Sequence, residues 1–186
     1  MELERHKNLK IAKRIEKHVS LAKFKSKALD LGCGEGWLSE ILKKKGHYVV
    51  GLDTDPLKLK LAKKNCDEIV RYKIKNHLPF KNSYFDFILC SDLLEHLENP
   101  EIIIKEISRV LKSKGEALIK VPYGPLDFLF MLEGHKQFFT NRKIKKMLEH
   151  ANFVITKEEH FLIIPLFRVL IRQVPQFLIF KLKKLD

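Results

Sequence analysis

Residues 27–36 read Lys-Ala-Leu-Asp-Leu-Gly-Cys-Gly-Glu-Gly, and this segment constrains the fold more than any other in the chain. A short apolar strand runs directly into glycines at alternate positions, Gly32, Gly34 and Gly36. Glycines so placed let the backbone turn tightly and let a ligand lie against bare main chain. A helical pattern follows at once over 37–45 and stops at Gly46. A strand, a glycine-rich turn and a helix N-terminus together form a cradle for a nucleotide-type ligand, because the first N–H groups of the helix have no partner within it. The dinucleotide fingerprint would place a further glycine at position 37, where this chain has Trp37. The pattern is therefore a glycine turn preceded by an acid, Asp30, rather than a dinucleotide motif.

The rest of the chain repeats the strand–helix alternation. Strands are expected over 47–52, 68–73, 84–91 and 115–121, and helices over 57–65, 100–112 and 140–150. Thr140 is an expected N-cap, and Pro100 sits where the first turn of a helix tolerates it. Late strands are expected over 153–158 and 177–183. Such alternation predicts an α/β fold, a doubly wound, mostly parallel sheet with helices on both faces. Ligands of such sheets bind beyond the carboxyl ends of the strands. Asp53 closes the second strand, downstream of the glycine turn. A carboxylate at that strand end accepts hydrogen bonds from both hydroxyls of an adenosine ribose.

Charge is unevenly distributed. The net charge of +13 arises entirely from the two ends: residues 1–27 hold nine Lys/Arg against three Asp/Glu, and residues 136–186 hold eleven against four. The middle is balanced. Basic flanks imply an anionic partner, nucleic acid or an anionic membrane surface, or else a lysine-rich solvated surface. Residues 3–19 carry apolar positions at Leu3, Ile11, Ile15 and Val19, an amphipathic basic helix. No apolar leader is read at the N-terminus, and no stretch approaches the roughly 20 apolar residues of a spanning helix. Cys33, Cys66 and Cys90 are far apart with no CxxC, which argues against a disulfide framework or a zinc site and fits a reducing cytoplasm.

Beyond these local readings, the chain resembles the class I S-adenosylmethionine-dependent methyltransferases, of the small Rossmann-like kind acting on small molecules, quinones and lipid precursors. The resemblance lies in Ala-Leu-Asp-Leu-Gly-Cys-Gly-Glu-Gly at 28–36, Gly-Leu-Asp-Thr-Asp at 51–55, and the run from Leu-Pro-Phe to Ser-Asp-Leu-Leu-Glu-His-Leu at 78–97. Val-Leu-Lys-Ser-Lys-Gly-Glu-Ala-Leu-Ile at 110–119 extends it, and weaker similarity continues at 134–140 and 151–153. It covers roughly residues 27–160. The resemblance implies a seven-stranded sheet whose last strand, 177–183, runs antiparallel. It implies that S-adenosyl-L-methionine is the cofactor and S-adenosyl-L-homocysteine its product. It further implies that Gly32, Cys33 and Gly34 meet the methionine part and that Asp30 orients its ammonium. Asp53 would hold the ribose, Thr54 would border the adenine, Ser91 would offer its carbonyl to the ammonium, and Leu93 would pack nearby. Relatives usually carry an acid for the adenine amino group where this chain has Ile74; backbone groups or Asn76 are the expected substitutes, and Asn76 is equally a turn residue.

The single domain is read as a basic N-terminal helix or lid (1–26), a cofactor-binding core (27–160), an apolar insertion (161–176) and a final strand with a basic tail (177–186). His96 is the first candidate base, with local hydrogen bonding as its alternative role, and His135 is the second. Cys90 reads as a buried filler rather than a nucleophile, and Trp37 as helix-to-sheet packing. Histidine spacing shows no metal-ligand pattern. Apolar segments at 125–132 and 161–174 should emerge on the cofactor side and suit an apolar or amphiphilic acceptor, or pack on one another as a lid. Arg168 and Arg172, four apart, would face a phosphate or carboxylate. The expected function is methyl transfer to a small, lipid-like or aromatic acceptor, in the cytoplasm and with peripheral contact to an anionic membrane. The alternatives are an RNA or protein methyltransferase using the basic flanks, and a non-catalytic adenosyl-binding or scaffold protein.

Overall fold

The computed structural model describes residues 2–23, 26–123, 134–162 and 176–185. The apolar segment at 125–132 and most of that at 161–174, with Arg168 and Arg172, lie outside the described residues. Helix α1 spans Glu2–His18, and strand β1, Lys27–Leu31, leads through the glycine turn to α2, Ser39–Lys44. Then follow β2 (Tyr48–Asp53), α3 (Pro56–Ala62), β3 (Glu68–Arg71), β4 (Phe85–Ser91), a single 3-10 turn (Leu94–His96) and α4 (Pro100–Val110). Strand β5 (Leu111–Tyr123), α5 (Asn141–His150), β6 (Phe153–Leu162) and β7 (Gln176–Lys184) complete the order.

The seven strands form one sheet in the order β3-β2-β1-β4-β5-β7-β6. β3, β2, β1, β4 and β5 pair in parallel, and β7 is antiparallel to both β5 and β6. The expected doubly wound sheet with an antiparallel final strand is what forms. The strand order reverses beside β1, so the ends of β1 and β4 flank the crevice where such sheets take their ligands.

Side-chain alternation sorts the core onto the two faces. Leu29, Leu31, Ile88, Ile119 and Val121 are buried with α4 and α5 on one side. Ala28, Phe87, Leu89, Leu118 and Ile179 are buried on the other, under α1, α2 and α3. From the apolar stripe of α1, Ile11 and Ile15 are buried, as is Val19 just beyond it. Each side chain buried in this way contributes about 1.5–3 kcal/mol over exposure. The helix is thereby held on the sheet by its greasy face, with its basic face outward.

Local chemistry sets the element ends. α3 starts where the Asp55 carboxylate accepts from Leu57 N and Lys58 N, with Pro56 in the first turn. α5 starts at Thr140, whose hydroxyl accepts from Lys143 N at 3.1 Å, as expected. The helix expected over 100–112 ends at Val110, because Leu111 crosses over to pair with Phe85 and opens β5 early. Lys114 is left at φ 60° and Gly115 packs onto the Leu111 side chain, which carries β5 back into register. Among the described residues no helix is long and apolar enough to cross a membrane.

Candidate functional site

At the carboxyl ends of β1 and β2 the two loops are tied together by one carboxylate. Asp53 Oδ2 accepts from Gly34 N at 2.9 Å, and Asp53 Oδ1 accepts from Thr54 N at 2.7 Å and Asp55 N at 3.0 Å. Gly32 N and Cys33 N both donate to Leu52 O, at 2.8 and 3.0 Å. The first turn is therefore sewn onto the end of β2 by main-chain donors. The glycines differ in what they permit. A Cβ at Gly34 would meet nothing within 4 Å, so this turn faces open space. A Cβ at Gly36 would sit 2.9 Å from Ala62 Cα, so Gly36 allows α3 to close against the turn. Both have positive φ, 53° and 78°, which glycine adopts without strain.

Beside this turn lies a cleft of about 600 Å3, within the size range of small-molecule sites. Gly32, Asp53 and Thr54 line one side of it, and Ile74, Leu93 and Leu97 form apolar walls. Asn76 and His96 also line it. A carboxylate set at the end of β2, a bare turn and an apolar slot fit the ribose and base of an adenosine. Ile74, standing where an acid was expected, is one of the apolar walls, and Asn76 lies close by on the same cleft. Sequence reasoning missed Tyr72, Lys73, Lys75, Glu98 and Lys136, which also line it. The last two form an ion pair of 3.0 Å. Lys136 arrives on a loop far along the chain from Asn76, and no local signal placed it there.

Asp30, Cys33, Gly34 and Ser91 do not line the cleft. Asp30 is buried and accepts from Ser39 Oγ at 2.6 Å. Burial pushes its carboxyl up to about 6, against the Ser39 hydrogen bond. Cys33 presents main chain to the turn while its sulfur is buried in the core below. Ser91 ends β4 with Oγ donating to Asp92 Oδ2 at 3.1 Å. Cys90 is buried, and burial raises its thiol well above the usual range, as expected of a filler.

His96 lines the cleft, with Nδ1 3.3 Å from Gly134 O. Its ring meets that of His135 edge to face, 4.9 Å between centroids. Neighbouring Glu95 is buried, and its carbonyl accepts from Lys136 N at 2.7 Å and Gln137 N at 3.0 Å. The Glu-His pair thus fastens the chain returning at residue 134 to the end of β4. Glu95, His96 and His135 each bring one ligating atom within 4.8 Å of the others, a donor set able to hold a metal ion. The long sequence separation of His96 and His135, with α4 and β5 between them, hid this grouping from the sequence.

A second polar feature was not read from sequence at all. Lys120, near the end of β5, has a fully buried side chain that pairs with Asp92, and its ammonium lies 4.0 Å from the centre of the Phe177 ring. Asp92 follows β4 directly and holds φ 53°, a conformation that costs a non-glycine residue free energy. It sits beside Leu93, so this pair borders the crevice on the β5 side.

A family model for a methyltransferase domain matches residues 29–119. The ubiquinone biosynthesis O-methyltransferase of Aeromonas salmonicida is 26% identical over 153 residues, covering 71% of this chain and 64% of that one. The enzyme of the same name from Yersinia enterocolitica is 31% identical over 98 residues, covering 50% of this chain and 40% of its own length. The chain spans less than two thirds of the length of these relatives. An S-adenosylmethionine-dependent methyltransferase from Mesorhizobium loti superposes with a TM-score of 0.76 at 19% identity, covering 92% of this chain and 96% of that one. A second, from Archaeoglobus fulgidus, gives 0.74 at 18%, covering 94% and 93%. At such identities these structures establish the shared fold.

Proposed function

We propose that this chain, whose residues 29–119 belong to the class I S-adenosylmethionine-dependent methyltransferases, moves a methyl group onto a hydroxyl oxygen of a small apolar or amphiphilic acceptor. The observation that carries the cofactor half of this reading is Asp53, fixed by three backbone N–H groups on the wall of the 600 Å3 cleft. Its carboxylate keeps lone pairs for the two ribose hydroxyls. Gly32 and Thr54 would hold the same group, with Ile74, Leu93 and Leu97 enclosing the base. S-adenosylmethionine supplies a methyl on a positively charged sulfur, already activated for in-line displacement.

The protein's task is then to place the acceptor oxygen and take its proton. Placement alone can supply roughly 7–11 kcal/mol relative to an encounter in water. His96 takes the proton. Its Nδ1–H donates to Gly134 O, leaving Nε2 with the lone pair, on a residue of the cleft wall. His135, edge-on to it, holds the ring in place.

Two features support the acceptor class. The relatives above are named O-methyltransferases of ubiquinone biosynthesis, which favours an oxygen nucleophile. Tyr123 pairs with Gln176, and Gln176 with Leu162, across the carboxyl end of β5. The described residues that flank 124–133 and 163–175 on β5, β6 and β7 therefore stand at that end of the sheet. An acceptor screen with isotope-labelled methyl donor, run on lipid extract, hydroxylated aromatic compounds and RNA, tests the reading. Label is expected in base-stable methyl ethers of the apolar fractions; label in RNA instead would overturn the acceptor class.

A further inference from the structure

Two cysteines from separate loops, Cys33 and Cys66, meet beneath the glycine turn. Gly51, in the middle of β2, marks the place: a Cβ there would lie 2.7 Å from Cys66 Sγ and 3.0 Å from Cys33 Sγ. Both sulfurs share the space that one missing side chain would fill, so they are no farther apart than those two distances together. They belong to one buried cluster on the α2–α3 face, whereas Cys90 is buried on the opposite face. The wide spacing that argued against a disulfide framework is closed by the fold for these two, because the turn after β1 and the chain entering β3 both pack on β2.

We infer that Cys33 and Cys66 are an oxidisable dithiol, which a peroxide closes to a disulfide that tethers the cofactor-binding turn. The sulfurs already lie close together, and a disulfide needs them about 2.05 Å apart. The surroundings prepare Cys66 for the first step. The neighbouring Cys33 thiol eases ionisation of Cys66 against the opposing effect of burial, while the same contact and burial raise Cys33. The reduced Cys66 thiol is held in place by donating to Ser39 Oγ at 3.2 Å, whose own hydrogen goes to Asp30. A thiolate attacks where a thiol does not.

The step balances with hydrogen peroxide as oxidant. The Cys66 sulfur attacks one oxygen, the O–O bond breaks, and the other oxygen leaves as hydroxide and becomes water. The Cys33 sulfur then attacks the sulfenic sulfur of Cys66, the S–S bond forms, and the second oxygen leaves as water. Two thiols lose two protons and two electrons, and one peroxide becomes two waters.

The tether acts on the turn. Cys33 donates its N–H to Leu52 O at 3.0 Å, accepts from Gly36 N at 2.9 Å, and lies between Gly32 and Gly34. Drawing its sulfur to bonding distance pulls that main chain toward the core. This consequence rests on the cofactor reading above.

The test exposes the purified chain to hydrogen peroxide and reads intact mass and peptide maps. The expected result is a loss of two hydrogens per chain and a Cys33–Cys66 linked peptide that dithiothreitol reverses. Cys66→Ser should form no link. By calorimetry the affinity for S-adenosylhomocysteine should fall about tenfold on oxidation, comparable to losing one charge-assisted contact, and return on reduction. Thiols that stay titratable, a link between two chains, or Cys33 oxidised alone would overturn the dithiol. An intramolecular link with unchanged affinity would overturn its action on the turn. A reduced chain that never binds the nucleoside would instead count against the cofactor reading, and the mass measurement would still decide the dithiol.

Discussion

The two halves of the sheet are built by different means. On the β3-β2-β1 side, the site is made of main chain: three glycines and one carboxylate that gathers backbone N–H groups from two loops. On the β5-β7-β6 side, the sheet carries charged side chains that find partners far along the chain. Lys120 pairs with Asp92, Arg14 and His18 pair with Glu159, and Lys181 pairs with Glu116. A main-chain cradle binds whatever presents an adenosine and needs few side chains to do so. Removing one partner of a pair such as Lys120–Asp92 would leave a buried charge without its counter-ion. The first half therefore brings backbone to the cleft, and the second ties distant segments together through side chains.

The contrast within the glycine turn gives the largest expected effects. Gly36→Val forces a Cβ into the Ala62 backbone and a side chain into φ 78°. It should cost about 3 kcal/mol of stability, read as a lowered urea midpoint. Gly34→Val meets open space, so its stability cost should stay at about 1–2 kcal/mol from the left-handed backbone alone. Its effect should fall on cofactor affinity instead, through the turn whose Gly34 N–H holds the Asp53 carboxylate on the cleft wall. Equal loss of stability in both variants would break the division between a folding glycine and a binding glycine. Asp53→Ala follows in size. It removes charge-assisted hydrogen bonds and should weaken adenosyl-cofactor binding by about 1.5–3 kcal/mol, measured by calorimetry. An unchanged affinity would remove Asp53 from its role.

The same division explains what was legible in the sequence. The alternation of strands and helices, the cap at Thr140 and the antiparallel final strand follow from periodicity, local hydrogen-bond chemistry and family resemblance. Gly32, Asp53 and His96 follow strand ends that can be read from sequence, whereas Thr54, Asn76 and Leu93 were named through the family resemblance; all six line the cleft. Lys136, Glu98 and the Lys120–Asp92 pair could not be read, because each depends on which loops the sheet order brings together. The Cys33–Cys66 contact was hidden for the same reason: it exists only once both loops pack on Gly51. Asp30 shows a finer limit. The strand placed it correctly, but its orientation toward Ser39 rather than the cleft is a matter of side-chain packing.

Asp30 also gives the smallest and most specific prediction, a pH dependence that belongs to the main-chain half. Its carboxyl is raised from 3.8 to about 6 because burial disfavours the charge. The folded state therefore holds a proton that the unfolded state has released, and this group's contribution to stability declines as pH rises from about 3.8 to about 6. On the other half Glu158 behaves oppositely. Hydrogen bonds from Lys145, His160 and Asn141 outweigh its partial burial and lower it from 4.5 to about 2. Its contribution is present above pH 4.5 and is lost as pH falls toward 2. Between these two windows the groups separate. Over the upper part of the Asp30 range Glu158 is already ionised in both states, so any loss of stability on raising the pH there reports Asp30. Asp30→Asn keeps an acceptor for Ser39 and has no charge to bury. Its urea midpoint should change less than that of the parent chain across that range, while the Glu158→Gln midpoint should follow the parent. If Asp30→Asn and the parent show the same slope, the buried carboxylate under the turn is not what titrates.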